Sequence, residues 1–138
     1  MPLPALVFGA GGLLPFLGLA ALQWVVEDPR GLSLLAAYGA VILAFVGALH
    51  WGYAVRDAPR GAEAWLRYGW SVLPALAAWS CLALPPPSAV PLLAAGLVVS
   101  LLVDEALARR IDTPAWLLRL RRWLTAGGAA SLLVAALA

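Results

Sequence analysis

His50 and Asp104 carry the chemistry that stands out first, because each is an ionisable side chain set inside an apolar stretch. At 1.5 Å of rise per helical residue, each would lie about 8–9 Å from the nearest arginine, Arg56 and Arg109 respectively. Ser71 follows Arg67 at a slightly shallower depth, and Trp51 and Trp70 flank the group. Charge at such depth in a membrane is costly and usually faces a partner or a water-filled cavity. One reading is a proton-handling or ligand-contacting cluster of His50, Trp51, Trp70, Ser71 and Asp104. The other is a hydrogen-bonded pair that fixes helix register. Polar groups inside membranes commonly act as glue between helices, so the structural reading leads.

Other chemistries find little to work with. Cys81 is the single cysteine, which excludes an intrachain disulfide and a thiolate metal cage. His50 is the single histidine, so a haem held by two histidines cannot form within one chain. No nucleophile–base set can be assembled, and no metal, no cofactor and no catalytic residue is expected. Trp79 reads as a large core aromatic and Cys81 as an inert buried side chain. Gln23 and Thr125 stand near span ends, where water or headgroups would reach them.

These residues must be positioned by five apolar stretches, in a chain that is 64% hydrophobic and 12% charged. Crossing a hydrocarbon core of roughly 30 Å takes about 20 helical residues. The expected spans are 4–26, 32–55, 64–84, 89–108 and 117–138, all in one domain covering 1–138. Glu27-Asp28-Pro29-Arg30-Gly31, Arg56-Asp57-Ala58-Pro59-Arg60-Gly61 and Pro85-Pro86-Pro87 supply the turns. The glycines and Pro15 of the first stretch would weaken a helix in water, but lipid offers the backbone no alternative. Pro74 is expected to kink the third helix. The fifth stretch is the least regular. Either it begins near Pro114, with Arg119 and Arg122 snorkelling to the interface, or Pro114–Arg122 forms a separate interfacial or re-entrant segment.

Arginine placement sets the orientation. Arg56, Arg60, Arg67, Arg109, Arg110, Arg119, Arg121 and Arg122 fall on one set of loops and Arg30 on the other. The positive-inside rule then puts the N-terminus in the cytoplasm and the C-terminus in the periplasm. The tryptophans agree, with Trp65, Trp70, Trp116 and Trp123 near the arginine-rich interface and Trp24 near the opposite one. A pI near 9.2 does not point to nucleic acid here, because the arginines sit in short loops beside apolar spans, where anionic headgroups meet them. The first stretch reads as a span and not as a secretory signal, since no positive segment precedes it. Lysine and asparagine are absent and arginine, alanine and proline abound, which suits a GC-rich bacterial genome and a multi-pass inner-membrane protein.

Small residues mark expected packing lines. Ala36, Ala40, Ala44, Ala48 and Gly52 recur every four positions, and Gly96, Ser100 and Asp104 form a similar line on the fourth span. Such residues let helix backbones approach closely. The second line turns Asp104 inward and leaves Glu105 to pair with Arg109, four residues later.

Three segments carry a family resemblance: Phe45-Val46-Gly47-Ala48-Leu49-His50-Trp51-Gly52, Val72-Leu73-Pro74-Ala75-Leu76-Ala77-Ala78-Trp79, and Pro114-Ala115-Trp116-Leu117-Leu118-Arg119-Leu120-Arg121 running on to Leu124-Thr125. In this order they resemble a family of small five-helix inner-membrane proteins, a domain of unknown function, that includes mitochondrial transmembrane protein 69. Asp104 stands in the expected acidic position, whereas Leu117 departs from an expected aromatic. The resemblance implies an architecture and a bacterial or mitochondrial inner-membrane location, and it carries no catalytic role onto any residue.

The sequence thus points to an all-α membrane protein, a bundle of five transmembrane helices. Its leading function is non-enzymatic: an accessory, assembly or structural component acting through helix packing. Its partners are the lipid bilayer and other membrane-protein subunits or further copies of itself. The alternative is a small-molecule binder or proton-coupled transporter using His50, Ser71 and Asp104.

Overall fold

The computed structural model describes residues 1–26 and 28–138, so Glu27 of the expected first turn lies outside the described residues. Described elements are all helical: α1 (Leu3–Gly11), α2 (Leu14–Val26), α3 (Pro29–Asp57), α4 (Gly61–Cys81), α5 (Pro86–Ile111) and α6 (Ala115–Ala136). The expected first span is therefore broken. Pro15 has no N–H to offer the carbonyl four residues back, and Gly11 and Gly12 resist bending least. Tyr38 on α3 donates its hydroxyl to the Gly12 carbonyl at 2.8 Å, satisfying one group that the break exposes.

Helix ends follow local chemistry. Asp28 caps α3 by accepting the Arg30 N–H at 2.9 Å, and Pro29 takes the first position, where a missing N–H costs nothing. Ala58 and Asp112 close α3 and α5 in the left-handed conformation, with φ of 47° and 51°. Gly61 opens α4 at φ 60°, where a side chain would be strained. Pro86 and Pro87 of the triple proline enter α5, where they fit a first turn, and Pro85 stands before it as the N-cap. Residues 115–136 form one continuous helix, so 114–122 is not a separate segment.

Central α3 lies against α2, α4, α5 and α6. The core joins Phe16 of α2, Leu35 and Leu43 of α3, Val90 and Leu93 of α5 and Leu132 of α6. Close approaches are set by three glycines. A Cβ on Gly47 would fall 2.7 Å from the Pro74 ring, one on Gly96 2.7 Å from Leu43, and one on Gly39 3.3 Å from Leu132. Phe16 meets Tyr38 edge-on at 4.9 Å above Gly128.

The packing face of α3 departs from the expected small-residue line. Ala36 and Ala40 are buried, Ala44 is half-buried, and Ala48 and Gly52 are exposed. Positions four apart advance about 40° past a full turn, so Ala36 and Gly52 stand about 160° apart on a straight helix. The buried face instead alternates steps of three and four through Leu35, Ala36, Gly39, Ala40, Leu43, Val46, Gly47, His50 and Ala54. On α5, Gly96 is half-buried and Ser100 fully buried.

Large apolar side chains crowd the outside, among them Phe8, Val25, Trp65 and Trp123. Three helical stretches are long and apolar enough to cross a membrane: Leu3–Val26, Arg30–Asp57 and Pro86–Ile111. α4 and α6 have the length, at 21 and 22 residues, but their N-terminal halves carry Glu63 and Arg67, and Arg119, Arg121 and Arg122.

Candidate functional site

Three helices deliver one polar cluster. His50 from α3 donates Nε2–H to Asp104 Oδ1 of α5 at 2.7 Å. Arg121 from α6 reaches the other carboxylate oxygen, with Nε at 2.8 Å and Nη2 at 2.7 Å from Oδ2. Arg121 Nη2 also lies 3.4 Å from Ser100 Oγ. His50 is 4% exposed, Arg121 5% and the Asp104 side chain 11%. Both oxygens of the carboxylate are therefore engaged, and the void against the cluster measures about 10 Å³. That is near the smallest space that holds one water.

Aromatic rings frame the histidine. Tyr53 and Trp70 meet the imidazole edge-on, with centroids at 5.7 and 6.4 Å. Trp51 faces outward, half exposed, and meets Tyr68 edge-on at 4.9 Å. Ser71 is buried but donates to the Tyr68 carbonyl of its own helix at 2.5 Å. So His50, Asp104 and Trp70 come together, while Ser71 and Trp51 spend their contacts elsewhere. Trp79, expected in the core, is 73% exposed on α4, and Cys81 is half-buried against the core.

Arg121 is the member that charge counting hides, because it sits in the arginine run of 119–122. Its register gives it away. Arg121, Thr125, Gly128, Leu132 and Ala135 alternate steps of four and three, the pattern of one buried helix face. An acid as deep as Asp104 also calls for a cation, which a neutral histidine does not supply.

Ion pairs continue toward the arginine-rich end. Glu105 does not pair with Arg109; it accepts from Arg122 Nε at 2.5 Å and Nη2 at 2.8 Å. Asp104–Arg121 and Glu105–Arg122 thus make two successive rungs between α5 and α6. Arg56 donates to the Ile111 carbonyl. Asp57, beyond the apolar stretch ending at Val55, accepts from Arg56 and Arg67, each at 2.6 Å. Those two hydrogen bonds hold its carboxyl down at about 2.

Two larger spaces flank the cluster. One of about 330 Å³ is walled by Phe8, Phe16, Phe45, Leu49 and Leu120 and reaches Arg121 and Thr125. The other, about 480 Å³, lies between α4 and α5 and touches His50, Arg67 and Trp70. Among the described residues, Trp70 Nε1, Arg67 Nε, Thr125 Oγ1 and Gln23 Oε1 are buried without a hydrogen-bond partner. Gln23 and Thr125 are thus covered, not washed by water as their place near span ends implied. Among the described residues no group of three or more His, Cys, Asp or Glu is placed to hold a metal ion.

Comparison with known proteins gives the chain its relatives. A family described as "Protein of unknown function (DUF3429)" matches residues 1–137. Transmembrane protein 69 of Xenopus tropicalis is 35% identical over 128 residues, which cover 90% of this chain and 50% of that protein. The chain therefore spans about half the length of this curated relative. No solved structure matches it. With an all-helical fold, three helices fit to cross a membrane and a transmembrane relative, the chain belongs to the DUF3429 family of proteins of unknown function.

Proposed function

We propose that this chain is a non-enzymatic, five-span inner-membrane protein, an accessory or assembly component that works by presenting a rigid helical surface to other membrane subunits. The observation that carries this reading is the closure of the central cluster. Asp104 has both oxygens occupied, by His50 and Arg121, with a void of only about 10 Å³ beside it. Moving a proton through a carboxylate held in this way requires breaking a buried ion pair. As a lock it serves well, since it joins α3, α5 and α6 at one point. The outward-facing Ala48 and Gly52 of α3 support a docking role, because small residues on a lipid-facing surface admit another helix. Eight arginines at one end support a cytoplasmic N-terminus and a periplasmic C-terminus.

A second reading, a small-molecule binder or proton-coupled transporter, is favoured by one feature: the 330 Å³ space that reaches Arg121 and the unpartnered Thr125 hydroxyl. Reconstitution separates the two. Purified chain in sealed vesicles is expected to pass no more protons than empty vesicles under an imposed pH gradient. A flux that disappears in Asp104→Asn would instead establish the transporter.

A further inference from the structure

The groove between α4 and α5 has two chemically distinct ends. Along α5, Val99, Leu102, Val103 and Leu107 give it an aliphatic wall, which α4 continues with Leu66. Leu66 is 72% and Leu102 61% exposed, so the groove opens on the outer face of the bundle, the side that lipid tails reach. From Val99 to Arg110 this wall runs about 16 Å along the helix.

Donors gather at the arginine-rich end. Arg110 is exposed and has no ion-pair or hydrogen-bond partner among the described residues. Arg67 keeps Nε unpaired while Nη2 holds Asp57, and Trp70 Nε1 is buried without an acceptor. Glu63 is the one carboxylate on the rim; it stands 3.8 Å from Arg67 and faces outward. Unpaired buried donors are uncommon and each calls for an acceptor. Aliphatic wall, lateral opening and acceptor-seeking end together match one kind of molecule.

The geometry points to a site for an anionic phospholipid of the leaflet at the arginine-rich end. Its phosphate sits on Arg110 beside the Arg67 and Trp70 donors, and an acyl chain lies along α5. Basic pockets between membrane helices bind anionic headgroups in this way. The groove borders the Asp104 cluster at His50 but takes its headgroup at the other end, on Arg110, and it stands or falls independently of the accessory role.

Native mass spectrometry of the full chain in neutral detergent tests it, with dioleoylphosphatidylglycerol and dioleoylphosphatidylcholine added in equal amounts. The expected result is one phosphatidylglycerol retained in preference to phosphatidylcholine. Arg110→Gln should lower that preference about fivefold, the equivalent of about 1 kcal/mol. Arg110→Lys should keep it, and so should Arg109→Gln, which removes the same charge from a neighbour that does not line the groove. Ala106→Trp, which fills the groove, should abolish retention. Melting curves of each variant establish that it is folded. Equal retention of the two lipids overturns the proposal, as does an equal loss in Arg109→Gln and Arg110→Gln. Displacement by glycerol phosphate, which carries the headgroup chemistry without a chain, would show a soluble-phosphate site and overturn the lipid assignment.

Discussion

Asp104 holds two partners that cannot find replacements in the bundle interior, so truncating it leaves buried charge behind. Asp104→Ala is expected to cost about 3–5 kcal/mol, and Arg121→Ala a similar amount, in detergent unfolding. The double truncation should cost at least about 1 kcal/mol less than the sum, since neither charge of the Asp104–Arg121 pair then remains buried without the other. Simple additivity would mean that the two side chains do not meet in the folded protein. Thr125 offers the opposite case. Its hydroxyl is buried without a partner, and an apolar side chain of the same shape removes that cost. Thr125→Val should leave the melting temperature unchanged or raise it, and a loss of more than about 1 kcal/mol would reveal a partner for the hydroxyl. At this scale the sequence was readable in part. Depth along two helices was enough to bring His50 and Asp104 together. Arg121 stayed hidden because an arginine near a helix end reads equally as a topology signal and as an inward ligand.

Glycines on α3 divide into two kinds, and substitution should tell them apart. Gly47 lies against the Pro74 ring with no room for a Cβ, whereas nothing stands within 4 Å of a Cβ on Gly52. Gly47→Leu is therefore expected to destabilise the isolated chain by about 1–3 kcal/mol through overpacking, while Gly52→Leu leaves its melting temperature within error. If both variants melt alike, the α3–α4 contact is not set by this glycine. The elements themselves were legible because turn chemistry is local. Asp28-Pro29, Pro59-Arg60-Gly61 and the triple proline mark boundaries within a few residues of where helices end. Two features were not. The glycines and Pro15 behind the break after Gly11 are also tolerated in a continuous helix in lipid, and the α3 seam follows alternating steps of three and four. A run of small residues every four positions looks like a stripe on paper, but its rotation about the axis carries it off the face.

For the molecule as a whole, orientation and activity are the open variables. Alkaline phosphatase fused after Ala138 should be active and a fusion at Arg60 inactive, because eight of nine arginines lie at or near the same ends of the helices. The reverse pattern would invert the bundle and, with it, the leaflet that supplies the lipid. The exposed apolar belt and the three apolar helices follow directly from composition. Membership of a family of unknown function leaves the purpose of the bundle to the geometry of its interior. That interior is closed around Asp104, and a structural lock must stay shut to protons. Proton flux through the purified chain in sealed vesicles tests this most directly, with wild type and Asp104→Asn compared under the same pH gradient. Both are expected to match empty vesicles; flux in the wild type that is lost in Asp104→Asn would make the cluster a proton relay and not a lock.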